Sequence, residues 1–547
     1  MDKLKKINKY QLIVILLAVF VATLNIWRVI VGAFHVPQGY AYLAVAHYFS
    51  DYFEYVQQLA QGIRGHWLVD NPYGIGDPTR TLIGWGQYLL YGRLASIFGW
   101  SPFLAYWIVI FVLGVILCLL LFKLVKKLLP QEPFVFQLGA FLLALFATPF
   151  IKLTTINGLL KIVPYDVWYS PMSIFHRFGG VPHHLTTNIM VAALLLLIAK
   201  ILDKLGGTNR KNLVTSIILI CFTMIIFLTF GPFQVINLLA ALIILSWIYA
   251  NQYILKKDKF KLTNLFFIVG LIMIAVVPTA LVIKILHQSG DLFHRTVAWE
   301  VSQQNYPSIF ALLAMTGPIL IFIPFGLKSF FKSASPIRLL FLLYAVISYS
   351  LYYTPLSILL GTHNARFINP VSYVLFGVLA FLGMKSFSSL FVKRKMVLTG
   401  TIIIFLTYFF VVTVVIYRSF GPLDQLSYLK KDLLAGMKKL EEYQDNKNVM
   451  TSPKMALGAI LPILVERRVY LGRSMFTPDF ENRFNISDRF YQGMLTSQDA
   501  QQLIENNNIG YVILSPSIEG YDPTGLEKYL FLKKIFENSE IKIYRTF

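Results

Sequence analysis

Asp51 and Glu54 lie three residues apart in AHYFSDYFEYVQQLAQGIRGH (46–66), a segment whose apolar residues recur at helical spacing. On a helix the two carboxylates share one face and reach a common cavity. There either could accept a proton from an attacking group or serve as a ligand to a metal. A carboxylate at a lipid boundary is costly unless it is paired or wet, so Asp51, between Ser50 and Tyr52, asks for a purpose. For Glu54 the plainer reading, a solvated face of a surface helix, weighs slightly more. The neighbouring Tyr52 and Tyr55 are expected to bind substrate. Further on, WLVDNPYGIGDPTR places Asp70, Asp77 and Arg80 on turn-rich backbone that should fold over the site.

Three later segments carry polar side chains of the same kind. PMSIFHRFGGVPHHLTT (171–187) groups His176, Arg177, His183 and His184 without a tight zinc spacing. These residues suit hydrogen bonding to phosphate or sugar, with Arg177 as the cation; a snorkelling interfacial loop is the alternative. GTHNARFINP (361–370) sets a single Arg366 beside His363 and Asn364 between two apolar stretches, where an isolated arginine needs an anion. Segment 286–308, with Asp291, His294, Arg295, Glu300 and Tyr306, reads equally as a gate and as plain solvated chain.

The elements that must position these residues are membrane helices. With 547 residues, 56% of them hydrophobic and 14% charged, and a mean hydropathy of +0.63, the chain is too apolar for a soluble globule of its length. Eleven apolar stretches predict spans near 11–34, 103–122, 134–152, 184–202, 213–230, 233–252, 262–285, 309–327, 339–354, 370–390 and 397–417. The stretch 82–100 is read as an interfacial or re-entrant helix, because a span there would carry Lys123, Lys126 and Lys127 to the outer face.

Net charge sharpens the topology. Residues 418–547 hold 17 basic and 16 acidic side chains, so nearly all of the +22 belongs to the apolar part and clusters between spans. That is the positive-inside pattern, with anionic membrane lipid and not nucleic acid as the partner. It places the N-terminus in the cytoplasm, and loops 35–102, 153–183, 286–308 and 355–369 with the C-terminal segment outside. All nine histidines then fall on the outer face. Cys118 and Cys221 lie in apolar runs and read as packing residues.

Two domains are expected, a transmembrane part over 1–417 and a small external α/β domain over 418–547. Strand candidates there lie at Asn448–Met450, Val469–Gly472, Gly510–Ser515 and Ile541–Arg545. Helix candidates lie at Leu423–Tyr443, 454–466, 498–506 and 524–532. With no histidine, Gly-rich phosphate loop or ligand-spaced cysteines, this domain reads as accessory.

A cytoplasmic N-terminus, one span, and a long external loop opening on an acidic juxtamembrane helix resemble the GT-C glycosyltransferases. VPQGYAYLAVAHYFSDYFEYVQQLAQGIRGHWLVDNPYG is similar to the first loop of a bacterial GT-C-like group. That resemblance implies a polyprenyl-phosphate-linked sugar donor, an acceptor that is a lipid, glycan or protein, and an inverting single displacement in the plasma membrane of a prokaryotic envelope. It implies Asp51 as general base and Arg366, in the late external loop, as the ligand of the donor phosphate, helped by Arg177 and Arg80. Members often carry two adjacent acids where this chain has Ser50-Asp51. A divalent cation such as Mg or Mn is therefore allowed but not required, with Glu54, Asp70 and Asp77 as further acids. The rival from another class is a polytopic transporter or lipid flippase, which should show broken or ionisable positions near mid-membrane.

Overall fold

The computed structural model describes residues 9–76, 80–81, 86–156, 158–165, 177–178, 180–204, 210–229, 231–256, 259–287, 291–332, 335–419, 423–453, 457–516, 520–522 and 524–547. It is a helical membrane protein. Among the described residues five helices are long and apolar enough to cross a bilayer: Lys9–Ala33, Pro102–Leu128, Pro182–Leu202, Pro232–Asn251 and Arg394–Arg418. Shorter apolar helices occupy Phe134–Phe146, Ile217–Leu228, Val269–Val282, Pro336–Tyr352 and Ser372–Ser388.

The expected span 309–327 is broken. Helix Ile309–Thr316 meets the helical stretch Pro318–Lys332 at 95°. Gly317 at the break has φ +93°, and a Cβ there would collide with the carbonyl oxygen of Thr148. A positive φ and a close backbone approach both demand glycine, and Pro318 cannot continue the preceding helix.

The expected span 134–152 stops short as well. Its helix ends at Phe146, and Ile151–Ile156 (β4) and Leu159–Pro164 (β5) form an antiparallel hairpin instead. Pro149 supplies a local reason, because the residue before a proline is pushed out of helical geometry.

The chain divides into two compact units, Met1–Ile26, Ile110–Lys284 and Ala298–Gly421 in one, and Trp27–Val109, Ile285–Val297 and Pro422–Phe547 in the other. The second unit joins the first loop to the C-terminal segment. Tyr40–Tyr42 (β1) pairs antiparallel with Tyr428–Lys430 (β6), and Val69–Asp70 (β2) with Arg80–Thr81 (β3). The β1–β6 pairing overrides the helix expected over 423–443, of which Lys431–Lys438 remains, followed by a 3-10 turn at Lys439–Glu442.

A four-stranded sheet has the order Asn448–Thr451 (β7), Ile509–Leu514 (β8), Lys542–Thr546 (β10), Leu532–Glu537 (β9), with β7 parallel to β8 and the other pairs antiparallel. Val469 makes only a bridge to Val449 where a strand is expected. The edge strand β9, LKKIFE, and helix Phe480–Tyr491 are not among the elements expected from the sequence. Helix 524–532 shrinks to Thr524–Glu527 because β9 claims its end. The core of this part is built from Met450, Tyr470, Phe490, Tyr491, Val512 and Leu514, and Ile75 of the first loop packs into it.

Candidate functional site

Asp51 and Glu54 sit on helix Phe49–Ile63, as their spacing predicts. The helix is far more buried than a surface helix. Glu54 is enclosed, as are Phe53, Val56 and Gln57–Gly62 of the same helix, so the solvated-face reading of Glu54 is corrected. Two glycines set the packing: a Cβ on Gly62 would strike Leu89, and one on Gly92 would strike the Leu59 carbonyl. Helix Gly86–Ile97, whose 12 residues are too short to cross a bilayer, thus lies backbone to backbone on the acid-bearing helix. Tyr55 stacks on its Tyr88 at 5.1 Å between ring centroids.

The charge on this pair is answered from far along the chain. Arg473 forms ion pairs with Asp51 and with Glu54, and Gln58 Nε2 donates to Glu54 Oε1 at 3.2 Å. Side-chain exposure is 36% for Asp51 against 12% for Arg473 and 3% for Glu54, so Asp51 is the member that faces outward. Nothing in the local sequence around Arg473 marks it, and sequence reading missed it. Two carboxylates on one helix could hold a divalent cation, but the guanidinium stands between them. Among the described residues no group of three or more His, Cys, Asp or Glu is arranged for a metal.

Tyr52, expected at the substrate, is fully buried. Its hydroxyl donates to Leu43 O at 2.6 Å, and its ring packs edge-on to Tyr106. It fixes the start of the acid-bearing helix. Beside it His47 stacks on Trp107 at 4.9 Å, and burial followed by the field of Arg28 lowers its pKa to about 4. Asp70 binds both oxygens to Arg468, at 2.8 and 2.9 Å. Gln61 holds Asp70 at both its backbone N–H and C=O. The following residues thread into the C-terminal fold: Asn71 donates to Phe476 O, Pro72 O accepts from Val469 N, and Tyr73 packs over Gly472. Asp77 lies outside the described residues, and of Arg80 only the backbone, paired with Asp70 in a two-stranded ladder, is described.

Arg366 belongs to the other unit and has its anion within the chain. Its Nη2 donates to Glu300 Oε1 at 2.6 Å and its Nε to Oε2 at 3.4 Å. Thr362 Oγ1 donates to the same carboxylate at 2.9 Å, and His363 Nε2 lies 3.4 Å from it. Burial raises the Glu300 pKa, but Arg366, His363 and Thr362 together outweigh it and lower the group to about 2. Burial, then Arg366, lowers the pKa of the enclosed His363 to about 3 against the opposing pull of Glu300, so this histidine is neutral at pH 7.

Polar side chains of the bundle grip the backbone of the same turn. Gln234 donates to Arg366 O at 2.6 Å, Asn237 to Phe367 O at 2.7 Å, and Ser348 also bonds Phe367 O. Tyr344 orients Gln234 by donating to its Oε1 at 2.7 Å. Asn364, expected at the substrate, is buried and ties the turn to Asn305 and Tyr352.

Arg177 is corrected from a phosphate ligand to a helix cap. It is buried, bonds the carbonyls of Leu145 and Ala147 at the end of helix Phe134–Phe146, and lies 4.3 Å from the Tyr373 ring centroid. His183 and His184 pack edge to face at 4.3 Å at the start of helix Pro182–Lys204. His176 lies outside the described residues.

These features define a polytopic helical membrane protein whose first loop and C-terminal segment fold together around an acid–arginine cluster. Compared by sequence, the chain matches no family model and no curated protein. Compared by structure, it is similar to the oligosaccharyltransferase of Archaeoglobus fulgidus solved with Zn and sulfate, at 12% identity over 97% of this chain and 73% of that one, with a TM-score of 0.50. ArnT from Cupriavidus metallidurans, solved with undecaprenyl phosphate, aligns over 97% of both chains at 10% identity and a TM-score of 0.49. The likeness is one of fold, and the fold is the GT-C fold that the first loop resembles.

Proposed function

We propose that this protein transfers a sugar from a polyprenyl-phosphate-linked donor to an acceptor at the outer face of the plasma membrane of a prokaryotic cell. The observation that carries this reading is the opposite polarity of the two clusters. One exposes a carboxylate over a sheltered arginine, and the other exposes an arginine, 28% accessible, over a sheltered carboxylate, 13% accessible. Transfer needs both: a base for the acceptor and a cation for the departing phosphate. The shared fold with an oligosaccharyltransferase supports the same reaction class.

In this reading Asp51 takes the proton of the acceptor hydroxyl or amine as its oxygen or nitrogen bonds the anomeric carbon. The bond from that carbon to the phosphate oxygen breaks in the same displacement, which inverts the centre. Arg366 stabilises the charge that the leaving phosphate gains, and Glu300 fixes the guanidinium edge-on. Loops 35–102, 153–183, 286–308 and 355–369 with residues 418–547 lie outside, and the N-terminus lies in the cytoplasm.

The test is transfer from extracted lipid-linked sugars by the purified chain. Asp51→Asn should abolish turnover while donor binding survives. Near-normal turnover in Asp51→Asn, with loss in Asp70→Asn, would move the base elsewhere in the loop.

The break at Gly317 favours a transporter. Its backbone groups are engaged internally, Gly317 N with Leu313 O, Gly317 O with Leu320 N, and Ala314 O with Phe150 N. A transported substrate would need such groups for itself. Turnover-independent accumulation of a lipid-linked sugar in vesicles would favour the transporter.

A further inference from the structure

Two carboxylates one helical step apart, one of them enclosed, carry a charge of two that the fold must offset. A divalent cation is the usual means where carboxylates converge. Here the offset comes from Arg473, which reaches both acids at once. We propose that Arg473 is the resident cation of the acidic pair, so that Asp51 and Glu54 work without a divalent ion, and the C-terminal segment supplies a charge to the working site.

Three observations support this beyond the ion pairs. Glu54 is enclosed, its Oε1 accepts from Gln58 Nε2 and its carboxylate pairs with Arg473, so a metal approaching it would compete with both. Arg473 is also held in place by its own turn. Its carbonyl accepts from the N–H groups of Phe476 and Thr477, and its guanidinium lies 5.0 Å from the Phe476 ring centroid. Thr477 in turn accepts from Gly472 N through its hydroxyl and from Arg295 Nη1 through its carbonyl, at 2.6 Å. A guanidinium pinned on both sides is a fixed charge. A metal arriving between the acids would have to displace it or sit against it, and like charges in a partly enclosed site repel strongly.

The pair would then differ from a metal site in kind. Arginine offers directional N–H donors and cannot be chelated away, so the outward Asp51 keeps a set orientation. It also gives the accessory-looking C-terminal segment a positioning role, since Arg473 acts on the acceptor only through Asp51.

The inference rests on the pair being the working acids, and its test is read without a transfer assay, so the two can fail separately. Mn2+ is titrated into the purified full-length chain and followed by electron paramagnetic resonance, with melting temperature recorded with and without EDTA. The wild type should show no Mn2+ binding that Asp51→Asn removes, and no change in melting temperature with EDTA. Arg473→Met, which keeps the stem and removes the charge, should gain Mn2+ binding about tenfold or more tighter than the wild-type background, and the double variant Arg473→Met/Asp51→Asn should lose the gain. Arg473→Lys should behave as wild type.

Mn2+ bound by the wild type and released by Asp51→Asn overturns the proposal. So does a folded Arg473→Met that gains nothing. Should Arg473→Met fail to fold, the wild type and Asp51→Asn decide alone: equal Mn2+ behaviour of the two upholds the inference, and a loss in Asp51→Asn ends it.

Discussion

The Asp51–Glu54–Arg473 cluster and the Glu300–Arg366–His363 cluster use the same two kinds of charge in opposite senses. In the first the arginine is sheltered and an acid looks out, and in the second the acid is sheltered and the arginine looks out. The chain distances differ too. Arg366 and Glu300 are 66 residues apart, while Arg473 and Asp51 are 422 apart. An ion pair therefore says little about a site until the exposed partner is known, because that partner sets whether the site offers a base or a cation.

The comparison breaks most sharply at its two exposed members. Asp51→Asn keeps shape and loses the base, so turnover should fall by about 10²–10⁴-fold with donor binding largely retained. Arg366→Ala should lower turnover by about 10²-fold and also weaken donor binding, because the phosphate loses its cation in both states. Steady-state kinetics beside a lipid-donor binding assay separate the two. Equal effects on kcat alone from both variants would erase the distinction between base and cation.

The sheltered members should act mostly on stability. Glu300→Gln leaves Arg366 without its anion and should cost about 1–3 kcal/mol in denaturant or thermal unfolding. Glu54→Gln should cost less than that, because Arg473 keeps Asp51 as its anion. If either changed turnover and not stability, the assignment of sheltered and working acids would reverse.

Acid should probe both clusters through their histidines. His363 and His47 have folded pKa values lowered to about 3 and about 4 from 6.5. Their neutral burial stabilises the fold above pH 6.5, and that contribution is lost as pH falls from 6.5 toward those values. Glu300, held near 2, keeps its own contribution above pH 4.5 and loses it only as pH falls toward 2. Melting temperature should therefore fall between pH 7 and 5, and the fall should shrink in His363→Gln and in His47→Phe. No change between pH 7 and 5 would mean that neither histidine is held neutral.

The smallest effects belong to topology, since single surface cysteines should leave folding intact. Lys126→Cys and Val392→Cys should resist an impermeant thiol reagent added outside, and Leu530→Cys, 96% exposed, should react. Ser515 is buried against Glu540 and would be silent from either side. Labelling at Lys126 from outside would mean that the stretch 82–100 crosses the membrane after all.

What the sequence determined by itself was whatever depends on neighbours along the chain. Apolar runs of bilayer length, lysine clusters between them and an amphipathic period over 46–66 are local, so the helices, the acid-bearing helix and the late arginine turn were legible. The break at Gly317 and the end at Phe146 were signalled by Gly-Pro and Pro149, though hydropathy alone read through both. Which partner each charge takes was decided only by the tertiary structure. Arg177 caps the helix ending at Phe146, Arg64 bonds the carbonyls of Pro462 and Ile463 at the end of helix Leu457–Leu464, and Arg338 bonds that of Leu128. In sequence Arg177 looked as ready for a phosphate as Arg366. The unpaired carbonyls at a helix end draw a guanidinium as a carboxylate does, and the choice between them is made by whichever the fold brings within hydrogen-bond reach. Arg473 is the same case at its longest range, because a contact spanning 422 residues leaves no periodicity for a local reading to find.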